Sequence, residues 1–436
     1  MYEPLRTSFE SREGQIMKVL MLGWEFPPYI SGGLGTACYG LTQGLSQLGT
    51  EIIFVLPHEV AAGAAHNVKL RSWEGKLKNV SFRPVQIRMY PYANPGGKIS
   101  PVGARGNPHS KSSKVGKYAN MPAGGNVAHY SGDLFSQVHR YAQLVCEVAA
   151  EEDFDVIHAH DWMTFPAAMA AADMTHKPLI VHIHSTERDR SGQNVNDRIY
   201  HIEREGMNRA DRVIAVSRYT QRICTDDYYV DPRKVHVVYN AIQPFEVQHH
   251  WPKNGNDSKV VLYLGRITMQ KGPEYFLFAA KKTLELMDNV KFIMAGTGDM
   301  FHRMVHLAAE LGIGHRVLFT GFLDGDEVAS VYRMADLYVM PSVSEPFGIA
   351  PLEAISNDVP VMISKQSGVA EVLGHVLKVD FWDIDEMTNK MVAVLRYPAL
   401  QKTLRQNGST EVKKFNWTDS ARGCINVYRA VMGTAS

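Results

Sequence analysis

The feature that most constrains this chain is an alternation running along most of its length. Short β-rich apolar runs are followed, again and again, by stretches at helical spacing. Strands that alternate with helices argue for parallel sheets covered by those helices, and so for an α/β architecture. In the first half the predicted strands are Met17–Gly23 (MKVLMLG), Glu51–Leu56, Val80–Met89, Phe154–His158, Leu179–His184, Arg212–Val216 and Val235–Tyr239. A helix is predicted from about Gly35 to Leu48. Another is marked by Leu134, Val138, Tyr141, Val145 and Val148, which recur on one helical face. A second series follows, with strands at Val260–Gly265, Val290–Gly296, Arg316–Thr320, Leu337–Met340 and Val359–Ile363, and a last helical pattern at Ser420–Met432.

Between the two series, from Gln243 to Ser258, stands QPFEVQHHWPKNGNDS, polar, aperiodic and holding two prolines, and the linker is expected within it at residues 244–258. A chain of 436 residues is long enough for two or three domains. The expected units are residues 17–243 and residues 259–416, each a Rossmann-like domain, and a final helix in 417–436. Residues 1–16 are polar and mixed in charge, unlike a signal peptide, and are expected to form a disordered leader. Residues 91–132, rich in Gly, Pro, Asn, Ser and Lys, are expected to be a mobile insertion of about forty residues.

Composition narrows the function. A net charge of +1 gives no general electrostatic reason to bind nucleic acid. No apolar run reaches the roughly 18 residues that span a bilayer. Four scattered cysteines, Cys38, Cys146, Cys224 and Cys424, without a C-x-x-C pair, fit reduced thiols in a cytoplasmic protein.

Ligands of doubly wound sheets bind at the carboxyl ends of strands. In the second half, the strand VVLYLG is followed by Arg266-Ile-Thr-Met-Gln-Lys271-Gly272. Two cations in such a turn suit a diphosphate, Arg as a planar fork and Lys as a point charge. The same pair also reads as a solvated turn before a helix. The strand Leu337–Met340 leads into PSVSEPFGIAPLE, which combines Glu345, the glycine Gly348 and a helix start. Unpaired N–H groups at that start would face a phosphate. Glu345 and Glu353, eight residues apart, would stand about 12 Å apart if fully helical. A hydrolytic carboxylate pair stands roughly 5–9.5 Å apart, so glycoside hydrolysis is disfavoured. Two such carboxylates can instead accept hydroxyls from two different sugars. The plainer reading is one surface Glu and one helix-stabilising Glu.

In the first half, Gly32-Gly33-Leu34-Gly35 follows the first strand, where backbone N–H groups can approach a phosphate. It departs from the dinucleotide fingerprint, with Cys38 at the third glycine position, and Gly296-Thr297-Gly298 departs from it similarly, with Phe301 there. A nicotinamide dehydrogenase is therefore disfavoured. Two strands end in His-x-His: His158-Ala-His160-Asp161 and His182-Ile-His184-Ser185. Imidazoles are common zinc ligands. The alternative expected here is that His160 and His184 line the crevice as hydrogen-bond partners, with His158 and His182 packed behind and no metal.

As a set these segments resemble retaining glycosyltransferases of the GT-B fold, family 4 and the glycogen and starch synthases. The resemblance rests on GRITMQKG (265–272), AGTGD (295–299), ADLYVMPSVSEPFGIAPLEA (335–354) and SGVAEVL (367–373). In the first half it adds GWEFPPYISGGLG (23–35), HAHDW (158–162) and ADRVIAVSRYT (210–220). It implies two Rossmann-like domains facing each other across a cleft, with the last helix crossing back to the first. It implies transfer of glucose from ADP- or UDP-glucose to an α-glucan or other sugar, with retention and without a metal or other cofactor. Arg266 and Lys271 would clamp the diphosphate, Glu345 would grip donor sugar hydroxyls, and Glu353 would take the ribose. Gly32, Gly33, Gly298, Gly348, Ile349 and Ala350 would meet the donor, with Phe322 or Leu323 bordering the base. His160 would sit by the sugar, and Asp161, His184 and Ser185 are candidates on the acceptor side. Ile30 stands where bacterial glycogen synthases carry a lysine. That favours an alternative, a family 4 transferase acting on a small sugar, lipid-linked or polysaccharide acceptor. A carbohydrate-binding protein without turnover is a third reading, against which Arg266, Lys271, Glu345 and Glu353 stand.

Overall fold

The computed structural model describes residues 16–27, 33–58, 77, 79–86, 132–243, 258–323 and 325–433. The expected leader and insertion, apart from Ile16 and Gly132, lie outside the described residues. So do Ile30, Gly32 and the linker up to Asp257.

Two parallel sheets organise the described residues. The first holds β1 (Lys18–Leu22), β2 (Glu51–His58), β3 (Val80–Gln86), β4 (Val156–His160), β5 (Leu179–Ile183), β6 (Arg212–Ala215) and β7 (Val235–Val237), in the order β3-β2-β1-β4-β5-β6-β7. The second holds β8 (Lys259–Leu264), β9 (Val290–Ala295), β10 (Val317–Gly321), β11 (Leu337–Met340), β12 (Val361–Ser364) and β13 (Leu377–Val379), in the order β10-β9-β8-β11-β12-β13. Every adjacent pair is parallel. Parallel strands must bury both faces, which is why β4 and β5 are buried at every residue despite the histidines they carry. In each sheet the strand order reverses at the first strand, between β1 and β4 and between β8 and β11. Those are the crevices where a doubly wound fold binds its ligand.

Helices cover the sheets on both sides. In the first half they are α1 (Gly33–Gln47), α2 (Gly132–Glu151), α3 (Phe165–Thr175), α4 (Glu187–Ser191), α5 (Asp197–Arg209) and α6 (Arg218–Asp226). In the second they are α7 (Pro273–Leu286), α8 (Phe301–Glu310), α9 (Gly325–Met334), α10 (Ile349–Ser356), α11 (Ile384–Arg396), α12 (Pro398–Val412) and α13 (Trp417–Met432). One face of the second sheet packs on α7, α8 and α11, through Phe276, Met304 and Met391. The other packs on α9 and α10, through Tyr332 and Leu352.

The last helix returns to the first sheet. Trp417, Ala421, Cys424, Val427, Tyr428 and Val431 of α13 share one core with Leu41 and Leu45 of α1 and Val19 and Met21 of β1. The approach is close because α1 carries glycine where the two helices touch. A Cβ on Gly40 would stand 2.1 Å from the Trp417 indole, and one on Gly44 would stand 2.4 Å from the Trp417 carbonyl oxygen.

Several boundaries differ from the sequence reading. β4 runs on to His160, so both its histidines lie inside the ladder rather than one beyond it. β10 and β12 begin one and two residues later than predicted. β13, of three residues, is too short to show a period, and it sits at the sheet edge.

Candidate active site

The second half contributes three segments at the carboxyl ends of β8, β9 and β11. After β8 the chain passes Arg266 and makes a tight turn, Met269–Lys271, that ends on Gly272 with φ +60°. Only glycine fits there. The left-handed backbone disfavours a side chain, and a Cβ would stand 2.1 Å from the Pro341 carbonyl oxygen. This close approach brings Lys271 beside the loop after β11, where its Nζ lies 2.5 Å from Glu345 Oε2. Ser342 Oγ donates to the same oxygen at 3.3 Å. Gly298, after β9, packs its Cα against the Ile267 carbonyl of the Arg266 turn, where a Cβ would stand at 2.2 Å. It therefore supports the cationic turn by close backbone contact.

Glu345 sits in the loop between β11 and α10, held by its own backbone. Its N–H donates to Gln366 O at 3.0 Å, and its carbonyl accepts from Gly368 N at 2.9 Å. Two more bonds reach Gln270, whose carbonyl accepts from Val343 N at 2.9 Å. Helix α10 then starts on Gly348, φ +102°, with no side-chain cap. Its first N–H groups, at and after Ile349 and Ala350, form an uncapped positive helix end a few residues after Glu345. Glu353 lies one turn further on and accepts from the Tyr332 hydroxyl at 3.1 Å. Burial raises its pKa above the ordinary glutamate value, and the Tyr332 bond offsets part of that. Tyr332, Ser342 and Gln270 were not among the predicted residues. The partners of Tyr332 and Gln270 lie in other elements, so no local spacing marks these two, while Ser342 stands three residues before Glu345 in the same loop.

Between β9, β10 and α9 lies a hollow of about 330 Å³ lined by Ile293, Leu318, Thr320, Leu323, Val331 and Met334 among others. Leu323 belongs to it. Phe322 does not line it and is 62% exposed.

The first half contributes four histidines on β4 and at the end of β5. Their rings stack, 4.4 Å between His158 and His160 and 4.3 Å between His182 and His184. His160 Nδ1 pairs with His184 Nε2 at 2.9 Å, His158 Nε2 with His182 Nδ1 at 3.2 Å, and His158 Nδ1 with the Tyr428 hydroxyl of α13 at 2.5 Å. Burial, then the neighbouring imidazoles, pushes all four pKa values down, to about 3 for His158 and, by burial, His184. The cluster is therefore neutral at neutral pH, suited to hydrogen bonding and unsuited to supplying a proton. The expected division is corrected in part. His160 is as fully buried as His158, and His184 is partly exposed. The inward ring nitrogens His160 Nε2, His182 Nε2 and His184 Nδ1 have no partner. Cys38, at the start of α1, joins His160 and His184 in a group whose ligating atoms lie within 4.8 Å of one another, a geometry with the right atom types for a divalent ion.

Asp161 is spent on the scaffold. At φ +58° it turns back so that Oδ1 accepts from His184 N at 2.7 Å and Ser185 N at 3.3 Å, tying the end of β4 to the end of β5. Burial raises its pKa to about 7 against those bonds and Arg190. Ser185 Oγ is buried without a partner. Gly33 opens α1 with open space where a Cβ would be. The Arg266 carbonyl accepts from the Tyr263 hydroxyl at 2.8 Å.

Residues 246–411 match the family Glycosyl transferases group 1, and residues 103–244 match Glycosyltransferase Family 4. An uncharacterised glycosyltransferase of Methanocaldococcus jannaschii is 29% identical over 95% of this chain and 99% of its own. A glycogen synthase of Mycobacterium tuberculosis is 24% identical over 95% of both chains. Among solved structures, Anabaena HepE in complex with UDP and glucose is similar at a TM-score of 0.66 and 18% identity, over 95% of this chain and 100% of that one. The likeness is one of fold.

Proposed function

We propose that this chain, a GT-B glycosyltransferase that joins a family 4 domain to a group 1 domain, transfers glucose from ADP- or UDP-glucose to an α-glucan with retention of configuration. The observation that carries the reading is the Lys271–Glu345 pair at 2.5 Å beside the uncapped start of α10. In this arrangement a cation, a carboxylate and free helix N–H groups converge on one crevice. A nucleoside-diphosphate sugar presents the complementary groups: two phosphates for the cation and amides, and hydroxyls for the carboxylate.

In this reading Lys271 turns from Glu345 to the diphosphate when the donor enters, joined by Arg266 and the amides of Gly348, Ile349 and Ala350. Glu345, released from Lys271, accepts sugar hydroxyls. Glu353 accepts a ribose hydroxyl, and Gly33 lies by the phosphates. Leu323 borders the base, in the hollow between β9 and α9. The neutral imidazole of His160 offers Nε2 to the sugar next to the reacting carbon. As the C1–oxygen bond breaks, negative charge grows on the leaving diphosphate. Lys271, Arg266 and the helix start stabilise that charge where it appears. The acceptor hydroxyl adds to C1 from the same face, and its proton passes to the departing phosphate oxygen. This chemistry asks for no metal. Residues 259–416 hold the donor, while the acceptor approaches from residues 17–243. The α-glucan follows the glycogen synthase that matches along nearly the whole chain. A reducing, cytoplasmic setting fits the four free cysteines.

A donor-by-acceptor screen tests the reading, measuring released nucleoside diphosphate and product mass. The expected result is elongation of an α-glucan primer with ADP- or UDP-glucose, unchanged by EDTA. Transfer only to a small or lipid-linked acceptor would remove the glucan from the proposal and leave the donor site standing.

A further inference from the structure

The loop that carries Glu345 is gripped from the first half of the molecule. Ser344, its immediate neighbour, donates Oγ–H to Asp189 Oδ1 at 2.5 Å. A carboxylate only accepts, so the Ser344 proton is used there, and the Tyr219 hydroxyl at 2.9 Å donates to Ser344. On the other side of Glu345, the Pro346 carbonyl accepts from Ser217 Oγ at 2.5 Å and from Thr220 Oγ1 at 3.2 Å. Beyond the loop, Glu371 accepts from Arg218 N and Tyr219 N at the start of α6, at 3.0 and 2.5 Å. These first-half groups are themselves fixed. Asp189 belongs to the capping box of α4, where its other oxygen accepts from Thr186 N and Oγ1 at 2.8 Å each. Ser217 caps α6 by accepting from Thr220 N at 2.9 Å. The fit is tight. A Cβ on Gly368 would stand 2.2 Å from the Pro346 oxygen and 2.5 Å from Ser217 Cβ.

We infer that Asp189, Tyr219 and Ser217 are positioning residues that seat the Glu345 loop from across the crevice. The loop that carries the carboxylate is thereby fully supported only while the two halves are closed on each other. Once the halves part, the loop keeps its bonds to Gln270, Gln366 and Gly368 within the second half but loses its support on both sides of Glu345. Glu345 keeps its Lys271 and Ser342 contacts within the second half, but Ser344 and Pro346 lose theirs. The donor would then bind to an open molecule through Lys271 and the start of α10, and the loop would be completed only on closure. Water would be kept from the sugar until that moment. The inference rests on the reading of Glu345 as a sugar-binding carboxylate.

The test uses Ser344→Ala, Tyr219→Phe and the conservative Ser344→Thr in the full chain. Affinity for the nucleoside diphosphate product (ADP and UDP, by calorimetry) should stay within a few-fold of wild type. kcat should fall about 10²-fold in the first two variants, as for a small misplacement of a working group. Ser344→Thr keeps the hydroxyl and should recover most of the loss. Small-angle scattering of the ligand-free variants should show a larger radius of gyration. Wild-type kcat and scattering in both Ala and Phe variants would overturn the inference, as would loss of diphosphate binding in parallel with kcat. Should the wild type transfer no glucose to any acceptor, the functional reading fails instead. Scattering then decides the inference alone.

Discussion

At the scale of single residues, the structure pairs groups that the function would separate. Lys271 neutralises Glu345 in the free protein, so each residue keeps the other's charge satisfied until a ligand competes. Glu345→Ala and Lys271→Ala are each expected to lower kcat by about 10²–10³. Their double variant should lose much less than the product of the two. A simple product of the losses would mean the two residues act independently. The histidines carry a second prediction. His158 and His184 titrate near 3 when folded, against an ordinary value of 6.5. The unfolded chain therefore takes up protons between pH 6.5 and 3 that the folded one refuses, and stability falls as pH falls through that window. Each such group contributes about 1.4 kcal/mol per pH unit. Asp161 and Glu203, both raised to about 7 by burial, act in the opposite direction and lower stability as pH rises towards 7. His184→Gln should lose less melting temperature than wild type between pH 7 and pH 5. An equal loss would show that the cluster does not titrate as described. The positions of Arg266, Lys271, Glu345 and Glu353 were legible from motif and spacing. The partners Asp189 and Tyr219 were not, because they lie more than a hundred residues from Ser344 and nothing local announces them.

At the scale of elements, the alternation of strands and helices was readable because most strands are short apolar-rich runs bounded by turn residues. What escaped was short or polar. β13 has three residues, and α4 has five, most of them charged. Neither is long enough to display a period, and both are stabilised by what they dock against. The contact between α1 and α13 makes a prediction of sign. In an isolated helix Gly→Ala stabilises by about 1 kcal/mol. At Gly44 the added methyl meets a backbone oxygen that cannot rotate away. Gly44→Ala should therefore destabilise by about 1–3 kcal/mol in urea unfolding. Gly40→Ala should cost less, because the Trp417 indole it meets has rotamers to use. A more stable Gly44→Ala would show that the two helices separate readily.

At the scale of the whole molecule, two parallel sheets place the predicted donor residues that are described at the carboxyl ends of strands or in the first two turns of the helices beside them. That placement was foreseeable from topology, since crevices of doubly wound sheets occur where the strand order reverses. How the halves meet was foreseeable only in outline. Ile349 and Phe415 each pack against both the α1–α13 core and the α9–α10 core, so the two halves share apolar contact as well as hydrogen bonds. Trp417→Ala removes a large buried side chain from α13 and should cost about 3–5 kcal/mol. Its unfolding should be read by two probes, one in each half. Loss confined to the first half would show that the halves melt separately, while coincident transitions would show that α13 holds them as one unit.

The returning helix also sets an order on synthesis. β1 and α1 leave the ribosome well before the helix that covers their shared core, which is made from residues 417–432. About 180 residues separate β7 from α13, which at ordinary elongation rates is a delay on the order of ten to forty seconds. During that interval the nascent first half exposes the apolar face that α13 will cover. A chain stopped short of residue 417 would keep that face permanently. The cell's proteases would then recognise it as unfinished, whatever the state of its donor site.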